Sequence, residues 1–388
     1  MADQEADLRG LPSLDELTAA CAAPDWGGVL PHPVHSLSAI RPVIEQAFAG
    51  QSSTCPLGSR ETLIVLVVDG LSFPVAERAW SPSRLAALTS TCPSTTSTAL
   101  LSATTGRLPS EHGVLGVAFY DEAAGGMFNC YTDEAPDGFS LGELTTMFSA
   151  LRERVDCVAH IGALATTPGR WCKAVVEGAE IAPPSVDWHA IANEPAAMVA
   201  AVVGELETTL RRRRSRPLLV WAHINLDSAI HLRGYGEAVC DAVKTLGRAA
   251  ERWADSGHTV IAHSDHGLVE IADSARARRL AALLRGTETC RAESGGAGRL
   301  LWGYPRAGSA LMEQCRDLAG DFAAIMHRDA LLASGAVADT AAARRRIGEV
   351  VVVATRIEFP IFSRGHIFEH GGFSRDEMIA PIAIWAGG

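Results

Sequence analysis

Short unbroken runs of apolar residues recur along this chain, each bounded by polar or turn-forming positions. Six stand out, at 63–68, 157–161, 218–224, 259–263, 350–354 and 379–385. Runs of this length without strict alternation suit strands buried on both faces, as in a mainly parallel sheet. Between them, 195–213, 237–254, 274–284 and 311–323 space their apolar residues at the helical period. Strand and helix alternation predicts an α/β fold, with a mainly parallel central sheet sandwiched by helices. Residues 272–348 break the rhythm, being rich in Ala and Arg and interrupted by Gly295, Gly296 and Gly298. This stretch reads as a small α+β insertion, which leaves 1–271 and 349–388 as the core.

Composition narrows the function classes. With 388 residues, 47% of them hydrophobic and 20% charged, the chain can bury a large core. Its net charge of −11 argues against nucleic acid or an anionic membrane as partner. The basic run Arg211 to Arg214, with Arg216, follows a helical pattern and reads as a solvated helix end. No apolar run is long enough to span a bilayer. Nine cysteines without a CxxC pair read as reduced structural thiols. The acidic first residues lack an apolar stretch, so no signal peptide is expected. The expectation is a soluble cytoplasmic protein, monomer or homodimer.

Candidate chemistry gathers where the strands end. The run 63–68 leads into Asp69 and Gly70; the run 218–224 leads to Asp227, with His231 four residues on. The run 259–263 enters Asp265, His266 and Gly267, and Glu369, His370 and Gly371 precede the last strand. Asp and neutral His are donors that Zn²⁺ accepts. An Asp and a His four apart share one face if that turn is helical. Ligands of open α/β sheets bind at the carboxyl ends of strands, where all four groups stand. Between Thr91 and Gly106, hydroxyls crowd the start of a helical stretch. A helix N-terminus offers unpaired N–H groups to a phosphate, and a metal-activated hydroxyl there can attack phosphorus. Ser94, Thr95, Thr96, Ser97 and Thr98 are all candidates on this reading.

The pattern resembles the alkaline phosphatase superfamily, and within it the type I phosphodiesterase/nucleotide pyrophosphatase branch. The resemblance runs from about Thr62 to Ala386 and rests on Asp69-Gly70, the 93–113 block, Asp227 with His231, Ser264 to Gly267, and His370-Gly371. It implies two zinc ions, with manganese as the alternative. One would be held by Asp69, Thr96, Asp265 and His266, the other by Asp227, His231 and His370. In that branch the reactive threonine lies three residues after a proline and ten before the glycine of a Thr-Gly pair. Pro93 and Gly106 then both select Thr96 as nucleophile, with Thr91 and Thr95 as fallbacks. The implied activity is hydrolysis of a phosphodiester or phosphoanhydride on a small phosphorylated molecule such as a nucleotide.

Two departures bear on specificity. The sulfatase register needs a convertible Cys or Ser, then Pro and Arg; here the positions read Thr96, Thr98 and Leu100, and Cys92 is four residues early. Nucleotide pyrophosphatases usually place a phosphate-binding asparagine where this chain has Val117. The oxyanion donor is then expected from a backbone N–H, of Ser97 or Tyr120. A phosphomonoesterase or a phosphonoacetate-hydrolase-like enzyme is the alternative. A non-catalytic phospholigand-binding relative is the remaining rival, and it would be expected to have lost ligands that this chain retains. His112, His160, His223, His263 and His366 read as core or supporting residues.

Overall fold

A computed structural model describes residues 11–23, 26–49, 57, 61–166, 169–360, 363 and 365–386. Its central sheet has seven strands, in the spatial order Arg84–Thr89, Ile379–Ala386, Thr259–His263, Thr62–Asp69, Leu218–Asn225, Asp156–His160 and Glu180–Ile181. From Thr259–His263 across to Glu180–Ile181 the neighbours are parallel, whereas Ile379–Ala386 runs antiparallel to both of its partners. The expected mainly parallel, helix-flanked sheet is therefore present.

Burial on both faces explains the unbroken apolar runs. Along Thr62–Asp69 the side chains alternate between two cores: Leu63, Val65 and Val67 face one, Ile64, Leu66 and Val68 the other. The first core packs against helices Ile40–Phe48, Thr96–Thr105 and Met147–Leu151; the second packs against Phe73–Ala79, Pro195–Leu210 and Glu237–Asp255. Each such Leu, Ile or Val contributes roughly 1.5–3 kcal/mol through burial. Helix lengths depart from the sequence reading at two ends. The 195–213 pattern stops as helix at Leu210, and the 311–323 pattern stops at Ala319, where Gly320 takes φ +56. Arg214 and Arg216 both pair with Asp156 beyond the helix end.

The run 350–354 is a strand, yet it does not join the central sheet as expected. It lies in a second, antiparallel six-stranded sheet, ordered Ala323–His327, Val350–Ala354, Leu300–Gly303, Gly295–Ala297, Ala118–Asp121 and Gly126–Asn129. Val351 and Val353 face the first core, and Val350 and Val352 face a third one under helices Ala275–Arg285 and Leu311–Ala319. Two-sided burial is thus genuine, but an apolar run does not say which sheet buries it. This second sheet draws two strands from before residue 272 and one from after 348, so it is woven from separate parts of the chain. Among the described residues no helix is long and apolar enough to cross a membrane.

Candidate active site

Register brings the acidic strand ends together. Asp69 pairs with Asn225 on one neighbouring strand, and Val67 pairs with His263 on the other. Asp69, Asp227 and Asp265 therefore leave the same edge of three adjacent parallel strands. Asp227 opens the helix Asp227–Arg233, which carries His231 one turn later, and their ligand atoms lie 3.0 Å apart. Gly70 turns the chain with φ +77, and a Cβ there would come within 3.0 Å of the Asp227 Cα. Only glycine fits that approach comfortably. Asp265 and His266 both face the cluster, their ligand atoms 3.4 Å apart.

Thr96 is the first residue of the buried helix Thr96–Thr105, which Gly106 closes in the left-handed region. Its hydroxyl donates to Asp69 Oδ1 at 3.3 Å and lies 3.2 Å from His266 Nε2. The first-turn amides of Thr96 and Ser97 have no acceptor within the helix, as at any helix N-terminus. None of the other hydroxyl candidates has this pairing. Thr98 bonds the carbonyls of Pro93 and Thr95, Thr91 bonds Pro93 and Thr98, and Ser94 bonds the Gly372 carbonyl.

The last candidate ligand arrives on a loop clamped from both sides. His370 Nδ1 bonds the Ser94 carbonyl at 3.0 Å, and Gly371 N donates to Ser94 Oγ at 3.2 Å. On the other side Arg299 N donates to the His370 carbonyl at 2.8 Å. A Cβ on Gly298 would strike that carbonyl, and one on Gly371 would strike the carbonyl of Ala297. Buried Arg299 and Glu377, paired at 3.1 Å, complete the clamp, with Glu377 also accepting from Gly372 N.

Donor atoms from Asp69, Asp265 and His266 lie within 4.8 Å of one another, as do those of Asp227, His266 and His370, and of His231, Glu369 and His370. Burial, and then the neighbouring Asp227 charge, push Asp69 well above the usual carboxylate range. Burial and Asp69 do the same to Asp265. At His231 burial opposes charge, but Asp227 and Glu369 outweigh it and raise the imidazole to about 10. The carboxylate oxygens Asp227 Oδ1 and Asp265 Oδ2 are buried without a hydrogen-bond partner. Buried carboxylates left unpartnered beside imidazoles fit bound cations, which would satisfy these oxygens and displace the proton on His231.

A family model for type I phosphodiesterase/nucleotide pyrophosphatase matches residues 63–360. The chain belongs to that family. It is accordingly a metal-dependent phosphoric ester hydrolase of the alkaline phosphatase superfamily. Solved structures share the fold at low identity. Murine ectonucleotide pyrophosphatase/phosphodiesterase 5 is 14% identical, with 84% of this chain and 88% of that one covered at a TM-score of 0.57. Phosphonoacetate hydrolase from Sinorhizobium meliloti 1021, solved with phosphonoacetate, is 16% identical over 86% and 92%, with a TM-score of 0.59. A mutant of the alkaline phosphatase PafA is 13% identical over 85% and 91%, at 0.55. No curated protein matches the sequence.

Among the residues proposed for substrate, this phosphodiesterase-family chain uses Tyr120 otherwise than expected. Its N–H donates to the Tyr304 hydroxyl at 3.0 Å and is not available as an oxyanion donor. The Tyr304 side chain consumes that amide. Ser97 sits in the first turn, its carbonyl bonded by Trp171 Nε1 at 2.8 Å. Supporting histidines fall into place around the ligands. His223 Nε2 bonds Asp69 Oδ2 at 3.0 Å, and His366 stacks on His231 with centroids 4.0 Å apart. His160 is satisfied by Glu205 and Thr209, far from these contacts in the hydrogen-bond network. Two residues escaped the sequence reading. Glu369 had a signal, adjacency to His370; its carboxylate is 3.7 Å from His231 and 3.8 Å from His370. Tyr131 had none, because a loop aromatic carries no periodic mark.

His112 supports the helix Thr96–Thr105 through Ser102 Oγ at 3.1 Å, and burial holds its pKa down to about 3. Unfolded, it titrates near 6.5. As pH falls from 6.5 the unfolded chain takes up this proton first, so stability is lost on acidification at about 1.4 kcal/mol per pH unit. In urea titrations of chelated protein between pH 6.5 and 4.5, His112→Gln should flatten the slope by about that amount. An unchanged slope would remove His112 from the acid response.

Proposed function

We propose that this protein hydrolyses a phosphodiester or phosphoanhydride of a small nucleotide-like molecule, with Thr96 as nucleophile. The observation that carries the reading is the Thr96 hydroxyl, within 3.3 Å of Asp69 and 3.2 Å of His266 at a helix N-terminus. Asp69, Thr96, Asp265 and His266 would hold one zinc, and Asp227, His231 and His370 the other, with Glu369 alongside. Manganese is the alternative, since most of the donors are oxygen. Bound there, the ions would supply Lewis acidity that neutralises phosphoryl charge and acidifies the threonine hydroxyl. Thr96 Oγ forms a bond to phosphorus as the bond to the departing oxygen breaks, giving a phospho-threonine. Water then cleaves that ester and restores the hydroxyl. His223 keeps Asp69 oriented, and the Ser94 carbonyl fixes the His370 ring.

Two cavities open onto the candidate ligands, and Thr96 lines the smaller of them. One of about 220 Å³ is lined by Asp69, Thr96, Trp188, Asn225 and Asp227; the other, of about 480 Å³, by Val117, Gly295 to Gly298, His231 and His370. Space on both sides of the phosphoryl position suits an ester with two substituents. A phosphomonoester or phosphonoacetate is the second reading, favoured by the apolar Val117 on the larger wall. The metal-loaded protein should turn over bis-p-nitrophenyl phosphate or nucleotide sugars with a kcat/KM at least about tenfold above that for p-nitrophenyl phosphate and phosphonoacetate. The reverse order would transfer the assignment to the second reading.

A further inference from the structure

Tyr131 and Asp227 are the two residues that line both cavities, the smaller of which Thr96 lines as well. Asp227 belongs to the cation cluster and accepts only. Tyr131 therefore supplies the proton-bearing side chain at the junction. Tyr131 lines the smaller cavity together with Thr96, Asp69 and Asp227, and its phenol feels the charges of the two carboxylates. The ring is held edge-on to Trp171, with centroids 5.5 Å apart, and Trp171 is tied to the Ser97 carbonyl. Behind it, Asn129 Oδ1 accepts from the amides of Tyr131 at 2.9 Å and Thr132 at 3.2 Å, fixing the turn. The phenol is thus pinned to the helix that carries the nucleophile. Elsewhere on this wall Val117 offers no polar side chain, and the Tyr120 amide is spent on Tyr304.

We infer that Tyr131 is a catalytic residue, its phenolic O–H donating to a non-bridging phosphoryl oxygen while Thr96 attacks. The inference rests on the Thr96 reading above. Negative charge gathers on the non-bridging oxygens during transfer, and a fixed donor aimed there is worth more in the transition state than in the ground state. The donor keeps its proton throughout, so no bond to it is made or broken. It also biases the site towards one orientation of the phosphoryl group, because only one of two non-bridging oxygens can face it.

The test is Tyr131→Phe in the metal-loaded enzyme, on bis-p-nitrophenyl phosphate and on the two diastereomers of a nucleoside phosphorothioate diester. Expected is a fall in kcat/KM of about a hundredfold. Vanadate should bind more weakly by a similar factor, with KM changed less than about threefold and the metal content unchanged. The preference between diastereomers should shrink towards unity. Activity within twofold of the parent would overturn the inference, and so would loss of metal or a change confined to KM. Thr96→Ala separates the two ideas. If that variant is active, the nucleophile reading fails; if it is inactive while Tyr131→Phe is fully active, only the phenol's role falls.

Discussion

Thr96→Ala is expected to abolish turnover, lowering kcat by roughly 10⁴-fold or more while the protein still binds about two metal ions per chain. The reasoning is local. Thr96 is buried at the helix start, and the alanine removes one hydroxyl and one methyl from a site otherwise defined by Asp, His and Glu. Three donor groupings survive the change intact, since none of them includes the threonine. Thr96→Ser restores the hydroxyl at the same position and should recover activity to within about tenfold. Metal analysis and single-turnover kinetics on both variants check this. An active alanine variant sinks the nucleophile assignment.

Chelation should do two things together: eliminate activity, and lower Tm by on the order of 5–10 °C. The second effect follows from linkage. A cation at a thousandfold above its Kd stabilises by about 4 kcal/mol, and for a chain of this size each kcal/mol moves Tm by about 2 °C. The physical source is visible at the strand ends, where Asp69 and Asp265 are pushed well above the usual carboxylate range by burial and by neighbouring carboxylates. Without a counter-charge these groups must bind protons or repel one another. Scanning calorimetry before and after dialysis against a chelator, followed by zinc add-back, reads both effects. A Tm that does not move would mean that the carboxylates need no cation.

Much of this was legible in the chain because strand burial and metal ligation both leave marks. An unbroken apolar run followed by Asp gave Asp69, and the four-residue spacing gave Asp227 with His231 on one helix face. The α/β architecture followed from the same runs. Sheet membership was not legible: the four valines at 350–353 are as apolar as the central strands but pair with Leu300–Gly303 and Ala323–His327. Nor was the fate of the Tyr120 amide, which depends on Tyr304, 184 residues away in sequence. Glu369 adjoins His370 in the sequence, but a carboxylate at a strand end is common and by itself marks no ligand. Tyr131 depends on the turn that follows Gly126–Asn129 and on a tryptophan from helix Arg170–Val175, contacts that no local pattern encodes.

The clamp around His370 makes the accessory sheet part of the structure that positions the proposed catalytic centre. Arg299 and Gly298 grip the histidine's own backbone, while Glu377 secures the loop from the core side. The region is therefore no detachable cap: the approach to the His370 carbonyl admits only a glycine-thin backbone and is braced by a buried guanidinium.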